Sequence, residues 1–311
     1  MTRSIDANVT GSTEIHGDNS RKVAVTLGID PDSILDLAMS MNPYASKSTE
    51  ILKKHIDSLR FYPDSSQATK VLADYLEVDE SCLLLTNGAS EAIAVVCREL
   101  EVASVNECEF SLYKRHLKYV APNHPTIMSN PNNPTGKLAD DHEYSDVWDE
   151  SFYPLSTGVF TRRDFERGSV VIGSLTKLFS LPGLRIGYIV FPTEEGKKSA
   201  KGNLPYWNVN SLALSAMEDL LSSMDLSRWA RGIADLRDDL SSIFQTLGFN
   251  PYSSNAPYVL VPDACYLIEP LMAKGIFVRD ARSFGFKDAI RVGVCSEVGL
   301  GRLNLALKEI V

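Results

Sequence analysis

Residues 170–191 read V-V-I-G-S-L-T-K-L-F-S-L-P-G-L-R-I-G-Y-I-V-F, and the reading of this stretch decides the fold. Its first apolar run, Val170, Val171 and Ile172, predicts a buried strand of a parallel sheet, and residues 186–191 predict another. Between them stand Ser174, Thr176, Lys177, a Pro182-Gly183 break and Arg185. An ammonium group is strongly hydrated and ill suited to a place between two buried strands. It becomes useful there as a nucleophile toward a carbonyl, because desolvation lowers its pKa and frees the lone pair. Two hydroxyls and a forked guanidinium beside it are groups that hold a phosphate. The plainer alternative is a surface lysine on a loop, with Arg185 at an ordinary strand end.

Around this stretch lie 311 residues, a length that suits about two domains of ~150 residues. Apolar residues make up 44% and charged residues 23%, the balance of a soluble globular protein. A net charge of −9 disfavours nucleic acid or an anionic membrane as a partner. Cys82, Cys97, Cys108, Cys265 and Cys295 show no close-spaced pair, so they read as reduced thiols, not a disulfide frame or a metal site. The amino terminus lacks the apolar core of a signal peptide, and no run approaches the ~20 residues that span a bilayer. The expectation is a cytoplasmic protein.

Other stretches add chemistry. Residues 82–85 predict a strand that runs into Thr86-Asn87-Gly88-Ala89-Ser90-Glu91, the opening of a helix. Strand, glycine turn and helix start form an anion site, where free N–H groups meet the positive end of the helix dipole. Ser90 as a simple helix cap would share that geometry. Residues 129–136, S-N-P-N-N-P-T-G, force a tight loop after a strand at 126–129. Asp149 closes a short strand at 146–148 and faces the crevice outside the carboxyl ends of the parallel strands. Farther on, a long charged helix (226–247), a helix at 264–273 and strands at 258–261, 276–279 and 290–295 predict an α+β lobe. Arg279 and Arg291 stand on two of those strands, where either could be an ordinary strand-edge residue.

A carbonyl-seeking lysine beside a phosphate site points to pyridoxal 5′-phosphate (PLP). The 170–191 segment resembles the cofactor lysine segment of the class I/II aminotransferases, the fold-type-I PLP enzymes. That resemblance implies an α/β fold, with a three-layer α/β/α large domain on a mostly parallel sheet and a smaller α+β domain. It divides the chain into an N-terminal arm of the small domain (1–45), a shortened PLP-binding domain (46–207) and a C-terminal small domain (208–311). It implies that Lys177 carries the cofactor, that Asp149 pairs with its ring nitrogen, and that Asn133 bonds its ring hydroxyl. Phe110 would stack on the ring, and Ala89, Ser90, Ser174, Thr176 and Arg185 would hold the phosphate. Tyr62, in R-F-Y-P, would reach the cofactor of a neighbouring subunit in a homodimer. Arg291 would grip the substrate α-carboxylate, and Arg279 a substrate side chain, often a phosphate.

The opening His16-Gly17-x-Asn19, followed by Asn42-Pro43, is similar to that of the threonine-phosphate decarboxylases, relatives of histidinol-phosphate aminotransferase, and places His16 and Asn42 near the substrate. The implied reaction is amino transfer between an amino acid and a keto acid, of the histidinol-phosphate or threonine-phosphate type. L-threonine O-3-phosphate decarboxylation shares every residue named, and a PLP-binding scaffold without turnover is the third alternative. The chain also departs from its relatives. Where they carry P-T-[FY]-x-x-Y, residues 108–113 read C-E-F-S-L-Y, and the spans around this segment and from Asn133 to Asp149 are short. Phe152 stands where many aminotransferases have a tyrosine that bonds the ring oxygen.

Overall fold

The structure, a computed structural model, describes residues 19–161 and 167–311. Strand β1 (Leu35–Asp36) precedes the main sheet. That sheet is made of β2 (Leu83–Thr86), β3 (Val102–Val105), β4 (Tyr119–Val120), β5 (Thr126–Ser129), β6 (Val147–Asp149), β7 (Val170–Ser174) and β8 (Gly187–Val190). Its order is β2-β8-β7-β6-β5-β3-β4. From β7 through β4 every neighbour pair is parallel. β8 corrects one expectation, since it runs antiparallel to both β7 and β2. The physical reason is the connection. Between β7 and β8 lie one short helix (Leu175–Leu178) and the Pro182-Gly183 turn, too little chain for a covered parallel crossover.

Side chains alternate across the sheet as the pleat demands. Leu83, Leu85, Val171, Tyr188 and Val190 feed one apolar core, while Leu84, Ile127, Val147, Ile172 and Ile189 feed the other. Burial on both faces explains why these strands read as unbroken apolar runs. The helix Gly88–Leu100 covers the second face with Ala92, Ile93, Val95 and Val96. The far edge is reduced, for β4 has only 2 residues and the helix before it (Ser111–His116) only 6. This is where the sequence is short.

The C-terminal lobe holds β9 (Tyr258–Pro262), β10 (Ile276–Phe277), β11 (Arg279–Asp280) and β12 (Ala289–Gly293). β11, β12 and β9 form an antiparallel sheet. The strand expected at 276–279 is broken at Val278, because β10 pairs instead with β1, in parallel. That pairing ties the N-terminal arm to this lobe. The long helix Leu226–Thr246 is capped by the Asp225 side chain and buries Trp229, Ile233, Leu236, Leu240 and Phe244, one face at helical spacing. Its apolar face joins the first core, which runs on without a break through Val259, Ile290 and Leu303.

Candidate active site

Parallel pairing brings strand ends together. Ser129 is in register with Asp149, and Asp149 with Ile172, so β5, β6 and β7 open their carboxyl ends on one crevice. A cavity of about 650 Å³ sits there. Ala89, Ser90, Phe110, Asn133, Asp149, Ser174, Thr176, Lys177, Arg185, Arg279 and Arg291 all line it, although they are spread over most of the sequence.

One end of the cavity is a set of positive groups around a glycine turn. Gly88 has φ +75 and opens its helix, whose first turn has no side-chain cap. A Cβ at Gly88 would lie 2.4 Å from Nη2 of Arg185, so only glycine lets the guanidinium rest against the helix start. Gly187 is equally constrained, since a Cβ there would meet the Ala89 nitrogen at 2.6 Å. Arg185 itself takes a left-handed backbone conformation, φ 56, which is strained for a side chain of its size. Thr176 Oγ1 donates to the Ile186 carbonyl at 3.2 Å, which fixes the loop behind this end.

The lysine lies between this end and the strand ends. Its Nζ donates to the Met39 carbonyl at 3.0 Å and stands 5.8 Å from the centre of the Phe152 ring. Burial, then the positive charges of Arg291 and Arg185, bring its pKa down to about 7. It is therefore an amine with a substantial neutral fraction near neutrality. Asp149 is buried too. Tyr113 donates its phenol to Oδ2 at 2.8 Å, and the Ser151 amide donates to Oδ1 at 3.0 Å. Burial raises the Asp149 pKa despite these hydrogen bonds. A carboxylate so placed gains most from a cation.

Arginines form the opposite wall. Arg291 donates through Nη1 to Asn133 Oδ1 at 2.6 Å and through Nη2 to the Ala38 carbonyl at 2.7 Å. Its guanidinium lies over the Tyr258 ring, 4.8 Å from the centroid, and its Nε has no partner among the described residues. Because Asn133 accepts through its oxygen, its amide NH2 is the end left for a ligand. Arg279 pairs in register with Arg291 and donates to Ser283 Oγ at 3.1 Å. Neither Arg185 nor Arg291 meets a carboxylate among the described residues. Arg291 is buried and Arg185 half-buried, and cations so placed without anions mark a site for an anionic ligand.

Three expected residues are elsewhere. Asn42 does not line the cavity, and its amide is engaged within the protein. Its Nδ2 donates to the Leu178 carbonyl at 2.8 Å and its Oδ1 accepts from the Tyr44 amide at 3.0 Å, so it braces the lysine loop. Tyr62 is 79% exposed and lies tilted against Trp207, ring centroids 4.7 Å apart, and does not line the cavity of its own chain. His16 lies outside the described residues. Sequence reading overlooked Glu109 and Ser129. Their signal was a carboxylate set among apolar residues next to Phe110, a weak one without the fold.

A family model, "Aminotransferase class I and II", matches residues 97–307, about two thirds of the chain. The chain belongs to this family and is an enzyme. Family members depend on PLP. Among curated relatives it is similar to a histidinol-phosphate aminotransferase of Natronomonas pharaonis, 26% identical over 89% of this chain and 91% of that one. It is also 26% identical to the threonine-phosphate decarboxylase of Salmonella typhimurium, over 95% of this chain and 96% of that one. Among solved structures it shares the fold of the Sinorhizobium meliloti histidinol-phosphate aminotransferase in complex with pyridoxal-5′-phosphate. There the TM-score is 0.81 at 17% identity, covering 99% of this chain and 98% of that chain. No described helix is long and apolar enough to cross a membrane.

Proposed function

We propose that this enzyme carries PLP on Lys177 and transfers amino groups between a phosphorylated amino acid and a keto acid. The observation that carries the reading is the lysine of pKa about 7 in one cavity with a buried acid and four arginines. The donor set fits the cofactor. The uncapped helix start at Gly88 and the Arg185 guanidinium suit its phosphate, and the Asp149 carboxylate suits a protonated ring nitrogen. The Asn133 amide suits its ring oxygen. Phe110, edge-on to Tyr113 at 5.9 Å, walls the space a flat ring would fill.

PLP supplies an aldehyde for amines and a ring that accepts the electron pair left at the substrate α carbon. The protein does the rest. The free Lys177 amine would take the proton from that carbon and give it to the cofactor's aldehyde carbon. Asp149 keeps the ring nitrogen protonated. Arg291 would hold the α-carboxylate and thereby orient the bonds of that carbon. Arg279 binds the anionic side chain. Residues 46–207 would supply the groups for the cofactor, and Arg279 and Arg291 of 208–311 those for the substrate. We place the enzyme as a homodimer in the cytoplasm, with Tyr62 serving the partner's site. The exposed Phe61, Tyr62, Tyr206 and Trp207 support that pairing.

Phe152 favours a second reading, decarboxylation of L-threonine O-3-phosphate. Its ring packs edge-on against Tyr258 at 5.1 Å and gives the ring oxygen no phenol. One assay decides. Threonine phosphate and histidinol phosphate are supplied with and without 2-oxoglutarate. Dependence on the keto acid, with glutamate formed, supports amino transfer. Carbon dioxide released without keto acid establishes the decarboxylase instead. If borohydride fixes no cofactor mass on Lys177, both readings fail.

A further inference from the structure

Glu109 has no part in the chemistry above, yet only 2% of it is exposed. It occupies the place of the threonine in the P-T-[FY]-x-x-Y pattern, directly before Phe110. Its Oε1 accepts from the Ser129 backbone N–H at 3.0 Å, and its Oε2 accepts from Ser129 Oγ at 2.5 Å. Ser129 Oγ in turn accepts from the Asn133 backbone N–H at 2.8 Å. Asn133 Oδ1 accepts from Arg291, which leaves the side-chain NH2 for the ring oxygen of the cofactor. An unbroken line of hydrogen bonds thus runs from a buried carboxylate to the loop residue assigned to that oxygen.

We propose that Glu109 is a positioning residue that holds Asn133, through the Ser129 hydroxyl, where its side-chain NH2 meets the ring oxygen of the cofactor. The inference rests on the cofactor reading given above. A carboxylate can only accept hydrogen bonds. Ionised Glu109 therefore takes the single hydrogen of the Ser129 hydroxyl and turns that oxygen's lone pairs to the Asn133 N–H. A charged acceptor also polarises the hydroxyl, so its oxygen accepts more strongly. Asn133 is fixed at its backbone nitrogen by this bond and at Oδ1 by Arg291. With both points held, the direction of the NH2 follows.

The rest of the loop does not duplicate this hold. Asn132 is tied separately, since its Nδ2 donates to the Cys108 carbonyl at 3.2 Å and its own carbonyl accepts from the Tyr258 phenol at 3.0 Å. Those bonds fix the path of the loop, while the N–H of Asn133 goes to Ser129 Oγ. A glutamine at position 109 could not replace the acid. To keep the Ser129 N–H on its oxygen, it must turn its NH2 toward Ser129 Oγ, where it competes with the Asn133 N–H for the same lone pairs.

The test compares two cofactors, PLP and 3-deoxypyridoxal 5′-phosphate, which lacks the ring oxygen, in titrations of the whole apoprotein at pH 8. Burial lifts the Glu109 carboxyl to about 7, so the acid is ionised there. Wild type is expected to prefer PLP. Glu109→Gln and Ser129→Ala are each expected to bind PLP about fivefold more weakly, the scale of one weakened hydrogen bond, and to bind the deoxy analogue as wild type does. The double variant should lose no more than Ser129→Ala alone, because both changes cut one line. Ser129→Ala serves also if Glu109→Gln does not fold. An equal loss for both cofactors would make Glu109 merely structural, and no loss for either would make it idle. Both results overturn the proposal and leave the cofactor reading standing, as do additive losses in the double variant, which would take the route away from Ser129. A wild type that binds the two cofactors alike overturns the Asn133 assignment together with the proposal. Borohydride that fixes no PLP on Lys177 overturns the whole reading.

Discussion

The two walls of the cavity are built on different plans. The lysine wall is one run of chain, β7 through β8, with the Gly88 turn pressed against it. The arginine wall is assembled from distant parts, since Arg291 is 158 residues from Asn133 and 253 from Ala38, the two groups it binds. Yet the low pKa of Lys177 comes from burial and then from Arg291, across the cavity. The residue that reacts is set locally. How it reacts is set by the other wall.

The largest expected effect breaks the lysine wall. Lys177→Met should lower turnover by about 10³-fold or more, the scale of a lost proton-transfer group with its covalent anchor. Steady-state kinetics check it. A loss below tenfold would move the chemistry to another residue. Next comes Arg291→Lys, which keeps the charge and removes the fork. A fall of roughly 10- to 100-fold in kcat/KM is expected, carried by KM because the α-carboxylate grip is lost. An equal fall in kcat with KM unchanged would assign Arg291 to the reacting centre instead.

This contrast explains how far the sequence could be read. Strands β5, β6 and β7, the Gly88 turn and Lys177 follow from apolar runs and from glycine and proline punctuation, which are local signals. The antiparallel entry of β8 was hidden because a buried strand is apolar in either direction. Asn42 looked like a ligand group, and only the Leu178 carbonyl and the Tyr44 amide reveal its bracing role. Glu109 was missed since its partner Ser129 meets it only after β5 has packed. Long-range hydrogen bonds leave no periodic trace in the chain.

A smaller effect sharpens the comparison on the lysine side. Gly88→Ala should weaken cofactor binding by about tenfold, because its left-handed backbone conformation and the Arg185 guanidinium both resist a Cβ. Gly183 is the control, with nothing within 4 Å of a built Cβ, so Gly183→Ala should bind cofactor as wild type does. Titration of the apoprotein with PLP measures both. Equal loss in the two variants would point to general loosening of the loop and away from the cradle.

The mildest effects are on the stability of the apoprotein, and here Lys177 in the cavity and Glu109, an acid buried behind it, should behave as mirror images. Lys177 drops from 10.5 unfolded to about 7 folded. Between those values the unfolded chain binds the extra proton, so this residue's penalty is full below pH 7 and fades as pH rises to 10.5. Glu109 rises from 4.5 to about 7. The folded chain binds the extra proton there, so its penalty is absent below pH 4.5, grows through that window and is full above pH 7. Lys177→Met should therefore raise Tm most at acid to neutral pH, and Glu109→Gln most at neutral to alkaline pH. Melting curves of the two apo variants against wild type, from pH 5 to 9, test the pair. Gains that keep the same size across the range would mean that packing, not buried charge, governs both positions.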